Sequence, residues 1–315
     1  MGTPVREGAG LAKFCISEAL VQKITIVDFS SAWVMKDVFQ IARAKPGWMS
    51  REDVLKFYRE QKAEGVELMH DYWHDCSPKL LKSLTDDVGL PVTCYVFFTD
   101  FAVSKTDLKA KIDQGKDLLD RTAAIGTPRA MIVPAVYKTD TPAIDQTARV
   151  VEGLRACAEH AQTLGITLMA ENIDYPPIRP LMGRGSQCRD ICAAVDSPAF
   201  RLIYDAGCSL AVNEDPIETL HVMAPYLAHV HLKNSRLMKL GETRDRFLNS
   251  DSSQTYVSTP LSEGIVDIGR VLAELDKLSY TGLLLLEYQG EDPLKVLPQD
   301  LEFLRSFGEQ KLKRA

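Results

Sequence analysis

The feature that most constrains this chain is the stretch Thr281-Gly-Leu-Leu-Leu-Leu-Glu287. Four consecutive leucines leave no polar face, so the run reads as a strand covered on both sides, as in a parallel sheet. A carboxylate stands at its C-terminal end, where burial is unfavourable without a neutralising partner. Three earlier apolar runs end the same way, at Glu171, at Asp205 and at His231. Glu, Asp, His and Glu at the ends of four successive strands form a donor set for a hard divalent cation.

The rest of the chain explains how those ends could meet. Strands are expected at Lys23–Phe29, Val66–His70, Pro91–Phe98, Ala130–Pro134, Ile166–Glu171, Arg201–Asp205, Ala228–Lys233 and Gly282–Glu287. Helices separate them. Ser50 with Asp53 caps the first, Ser77-Pro78 opens the next, and Gly126 stops the helix that starts at Ser104. Val150, Val151, Leu154, Cys157, Ala158, Ala161 and Leu164 make one stripe on a helix over Gln146–Leu164. Asp215-Pro216 and Asp292-Pro293 open two more, and Pro298 is expected to interrupt the last. Eight strand–helix units without a composition break predict a single α/β domain, a parallel eight-stranded (β/α)8 TIM barrel over 1–315, with 1–20 as an N-terminal extension. An open doubly wound sheet is the runner-up, but no strand is followed by a GxGxxG turn. Two long loops, Asn172–Ser186 and Asn234–Glu263, would lie on the C-terminal face, where such barrels keep their chemistry. Tyr175, Arg179, Lys239, Arg244 and Arg246 lie on these loops.

Composition narrows the partners. A net charge of −6 disfavours nucleic acid and anionic membranes. No run approaches the roughly 20 apolar residues of a membrane span. Seven scattered cysteines complete no zinc site, and with no signal-peptide pattern at the N-terminus they suggest reduced thiols and a cytoplasmic protein.

In a barrel, the ends of strands five to eight form one arc, so Glu171, Asp205, His231 and Glu287 would converge. Three carboxylates so close repel unless a cation holds them. Oxygen donors with one imidazole suit Mn²⁺ first, with Mg²⁺ or Co²⁺ as alternatives, rather than structural zinc. His229 competes with His231 for that role; the residue nearer the strand end is preferred, which leaves His229 as a core histidine. Lys233 faces the same side and could meet an anionic or hydroxyl-rich substrate, or stand as a solvated rim lysine. His70, Trp73 and His74 after strand two could form a sugar-stacking wall, against the commoner case of a Trp packed under a loop. Arg236 and Asp100 are weaker candidates for substrate contact. Cys208 would line the site or sit as an inert buried thiol.

The segments Ala170-Glu171-Asn172, Tyr204-Asp205-Ala-Gly-Cys208, His229-Val-His231-Leu-Lys-Asn234 and Gly264-Ile-Val-Asp267 resemble the xylose isomerase-like barrel superfamily of sugar isomerases, ketose 3-epimerases and inosose dehydratases. The resemblance implies one divalent metal on Glu171, Asp205, His231 and Glu287. It implies that the two glutamates flank the substrate carbon and move its proton. It also implies a carbohydrate substrate and a homo-oligomer. Two positions depart from the pattern: Cys208 stands where the family often has His, and Asn234 where it often has Asp. An isomerase or epimerase working through an enediolate is the first expectation. A lyase on the same site, either an inosose-type dehydratase or a C-glycoside deglycosidase subunit with a small partner subunit, is the second. A metal-free binding barrel is the third. The abasic-site DNA nucleases of a related fold need several zinc ions, which six histidines and an acidic balance do not favour.

Overall fold

A computed structural model describes residues 24–27 (backbone only), 50–243, 248–290 and 292–312. The N-terminal extension, Trp33, Trp48, Arg244 and Arg246 lie outside the described residues. Capping chemistry sets the helix starts as the sequence suggests. Ser50 and Asp53 form a reciprocal capping box on α1 (Arg51–Glu60). Met69 leads from β2 (Val66–Met69) into the short α2 (His70–Trp73), and Ser77 caps α3 (Pro78–Val88). Gly126, at φ +89°, ends α4 (Lys105–Ile125).

The barrel strands are β1 (Ile24–Val27), β2, β3 (Val92–Phe98), β4 (Arg129–Val133), β5 (Thr167–Glu171), β6 (Phe200–Asp205), β7 (Leu227–Leu232) and, last in the chain, β11 (Leu284–Leu286). All pair in parallel, and β1 closes against β11, so the eight form a closed barrel. The helices α5 (Ala143–Thr163), α6 (Arg179–Met182), α7 (Gly185–Val195), α8 (Pro216–Met223), α9 (Ile268–Lys277) and α10 (Pro293–Leu312) complete the connections. Helix α10 runs through Pro298 rather than breaking there. The proline removes only the N–H that would reach the Leu294 carbonyl, and Leu294 is on the exposed side.

Strand alternation sorts the side chains into two cores. Leu68, Tyr95, Phe97, Leu168, Leu202, Tyr204, Leu284 and Leu286 point outward into the large core under the helices. Cys94, Val96, Met131, Met169 and Ile203 fill the barrel interior as a separate cluster. By the same alternation, Glu67, Glu171, Asp205, His229, His231, Lys233 and Glu287 belong to the interior set. All of them are buried.

The Asn234–Glu263 stretch is not an irregular loop. It contains a small antiparallel sheet, β8 (Ser235–Leu237), β9 (Leu248–Asn249) and β10 (Thr255–Ser258), with β10 in the middle. Arg179 and Arg184 both reach Asp251, at 3.3 and 3.2 Å, and tie this sheet to α6 and α7. Asn234 anchors its base. The Asn234 amide donates to the carbonyls of Leu261 and Val266 and accepts from the N–H groups of Ser235 and Val266. An aspartate could make only half of those bonds and would face two carbonyls, which accounts for asparagine at this position. A Cβ at Gly264 would overlap the same amide. We expect Asn234→Asp and Gly264→Ala each to lower unfolding stability by about 2–3 kcal/mol in urea titrations. An unchanged midpoint in both would show that the anchor does not hold the sheet.

Candidate metal centre

Strands β5, β6 and β7 carry Glu171, Asp205 and His231 at or near their C-terminal ends, and Glu287 follows β11 directly. One donor atom from each of the four lies within 4.8 Å of the others. Nδ1 of His231 is 2.8 Å from Oε1 of Glu171 and 3.2 Å from Oε2 of Glu287. Cis donors on an octahedral ion with ligand bonds near 2.1 Å are about 3 Å apart, so these spacings suit a shared cation. Oε1 of Glu171 and Oδ2 of Asp205 are buried without a hydrogen-bond partner. The Glu171 contact to His231 is short but not aligned as a hydrogen bond. The donor set therefore fits a divalent ion: oxygen-rich, buried and with unmet acceptors.

Neighbouring groups fix two of the four. Asn172 accepts the Asp205 backbone N–H at 2.8 Å and donates to the Asp205 carbonyl at 3.0 Å, which locks the end of β6 to β5. Oδ1 of Asp205 accepts the Cys208 N–H at 2.8 Å, leaving Oδ2 for the centre. Oε1 of Glu287 takes hydrogen bonds from Lys233 at 2.9 Å and from Gln289 at 2.7 Å. Lys233 also binds Asp174 at 2.9 Å, contacts the Cys208 sulfur at 3.2 Å and lies 3.5 Å from Oδ2 of Asp205.

These contacts make the two glutamates unequal. Burial, reinforced by Glu287 and Asp205, raises Glu171 to about 8 against the pull of His231. Burial likewise raises Asp205 to about 6, opposed by Lys233. Burial also works to raise Glu287, but Lys233 and His231 outweigh it and hold the group at about 2. His231 and Lys233 resist burial through Glu171 and Asp174 respectively, and both sit well above their usual range. Burial pushes the Cys208 thiol well up, so it is a neutral group and no nucleophile.

The other sequence candidates fall elsewhere. His70 has the outward parity of β2 and bonds Tyr95 at 2.9 Å under the helical layer. Trp73 is fully buried with Arg51 over its ring at 5.0 Å, so it offers no face to a sugar. His74 turns back to the Asp71 carbonyl. Arg236 forms a two-point ion pair with Glu242 at the small sheet. Asp100 braces the loop after β3 through Ala102, Val136 and Lys138. Three residues were missed: Glu67, Asp174 and Gln289. An acid in the middle of the apolar run Val66–Met69 was a readable signal for Glu67. Nothing local marks the other two.

A family model described as xylose isomerase-like TIM barrel matches residues 55–307. The chain belongs to this family. Among curated proteins, an inosose dehydratase from Geobacillus kaustophilus is 26% identical over 150 residues, covering 47% of each chain. An L-ribulose-5-phosphate 3-epimerase from Escherichia coli is 27% identical over 143 residues, covering 45% of this chain and 43% of that protein. The matched stretch thus spans less than half the length of these two relatives. A xylose isomerase-like barrel protein from Mycobacterium smegmatis, solved in complex with magnesium, superposes with a TM-score of 0.62 at 17% identity, over 82% of this chain and 88% of that one. Similar proteins thus include a dehydratase and an epimerase, and one structural neighbour was solved with magnesium. Among the described residues, no helix is long and apolar enough to cross a membrane, and the six described cysteines are all free and buried.

The raised groups of this xylose isomerase-like barrel predict how cation affinity depends on pH. Below about 8, Glu171 holds a proton that an ion must displace. Affinity for Mn²⁺ should therefore rise by about tenfold per pH unit per displaced proton between pH 6 and 8, and go on rising above 8, because His231, held well above its usual range, must also give up its Nδ1 proton. Calorimetry in buffers of different ionisation heat would count the protons released. Affinity independent of pH across that range would contradict the assignment.

Proposed function

We propose that this chain is a divalent-metal-dependent sugar isomerase or epimerase, acting by proton removal next to the carbonyl of a polyhydroxy substrate. The observation that carries this reading is the convergence of Glu171, Asp205, His231 and Glu287 with buried, unmet acceptors. Those four residues would hold the cation, manganese by preference. When bound, it supplies Lewis-acid polarisation of a carbonyl oxygen.

The remaining chemistry belongs to the chain. Glu171 is the less constrained of the two glutamates, because no donor is hydrogen-bonded to its Oε1. It takes the substrate C–H proton. Glu287, oriented by Lys233 and Gln289, serves the other face of the carbon, as an epimerase requires. Burial of the site keeps bulk water from the proton in transit.

The lyase reading has its own support. Lys233 is a buried ammonium between Glu287 and Asp174 whose third N–H meets only the Cys208 sulfur, a weak acceptor that a departing β-oxygen would displace. The neutral thiol of Cys208 replaces the histidine that the family resemblance leads one to expect. A dehydratase or a keto-glycoside lyase uses the same first proton removal.

We expect Glu171→Gln and Glu287→Gln each to slow exchange of the substrate proton with D₂O by at least about 10²-fold, with metal content checked for each variant. Exchange at the wild-type rate in both would remove these residues from the chemistry. Incubating ketoses, inososes and keto-glycosides with the Mn²⁺-loaded protein separates the two readings. An epimer or aldose–ketose pair supports the first. Loss of water or of an aglycone supports the second.

A further inference from the structure

Below the four-residue centre, inside the barrel, a second cluster joins Glu67 on β2 to His229 and His231 on β7. Glu67 and His229 are fully buried. Nε2 of His229 is hydrogen-bonded to Oε1 of Glu67. The other oxygen, Oε2, lies 3.6 Å from Nε2 of His231. Neither of these last two atoms has a hydrogen-bond partner among the described residues. The two rings meet edge to face at 5.1 Å and 89°. His231 therefore has one nitrogen at Glu171 and Glu287 and the other at Glu67.

An imidazole that ligates through one nitrogen carries its proton on the other, and that proton needs an acceptor. A carboxylate only accepts, so both Nε2 atoms that face Glu67 are best served as N–H donors. Glu67 stands where an apolar side chain would pack against Cys94, its register partner in the interior. We propose that Glu67 is a positioning residue for His231. It accepts the Nε2–H, fixes the tautomer that leaves the Nδ1 lone pair facing Glu171 and Glu287, and is itself held by His229. The inference rests on the reading of those four residues as a metal centre.

Two experiments test it. In the Zn²⁺-loaded wild type with ¹⁵N-labelled histidine, NMR should show His231 ligating through Nδ1 and bearing a proton on Nε2. Ligation through Nε2 would overturn the proposal. Glu67→Gln offers only one acceptor, and Glu67→Met offers none while suiting the apolar interior. Both should weaken Mn²⁺ binding by about 10- to 100-fold, read by EPR on protein shown to be folded. Glu67→Met keeps the test alive if the glutamine variant does not fold. If the wild type binds Mn²⁺ and both variants bind within about threefold of it, Glu67 has no such role and the metal centre stands. If the wild type takes up neither ion, the metal centre itself fails and the proposal falls with it.

Discussion

Mutual repulsion among three buried carboxylates is the constraint on which this molecule's site depends. Glu171, Asp205 and Glu287 offer donor atoms within 4.8 Å of one another, away from water. Two like charges at that separation repel by roughly 3–4 kcal/mol even at an effective dielectric near 20. One lysine and one imidazole share the task of holding them, and Asp174 takes part of the lysine. The balance is short of positive charge, and the unmet oxygens of Glu171 and Asp205 mark where it is short.

The barrel makes this arrangement possible by dividing labour between its layers. The outward side chains bind strands to helices and carry most of the apolar burial. The interior can then hold polar groups in register. Asp205 pairs with His231, and His231 with Leu285, two residues before Glu287 and on the same side of the strand. Closure through β1 and β11 brings β2 round, so Glu67 lies beneath residues 162 positions later in the chain. Above the rim, Asn234 and Asp251 secure the small sheet over the same end of the barrel.

Much of this was legible because it was local or periodic. An apolar run ending in an acid is visible in the chain, and alternation then tells which side the acid takes. The ends of β5 to β7 and β11 could be read in that way. His70 could not, because one further residue along β2 reverses the side, and only Tyr95 shows where the ring goes. Trp73 and Arg236 were drawn off by Arg51 and Glu242, partners distant in sequence or in a sheet that the long loop concealed. Asp174 and Gln289 matter through Lys233 and Glu287 alone, and such indirect roles leave no pattern in the chain. Asn234 stood out as a departure from the family pattern, but its reason, two carbonyls to satisfy, required the loop's path.

The most direct test is anomalous diffraction at the manganese edge from crystals soaked in Mn²⁺. A single strong peak bounded by Glu171, Asp205, His231 and Glu287, absent in Asp205→Asn crystals treated alike, is the expected result. No peak among those four side chains in well-ordered wild-type crystals would contradict the account at its root.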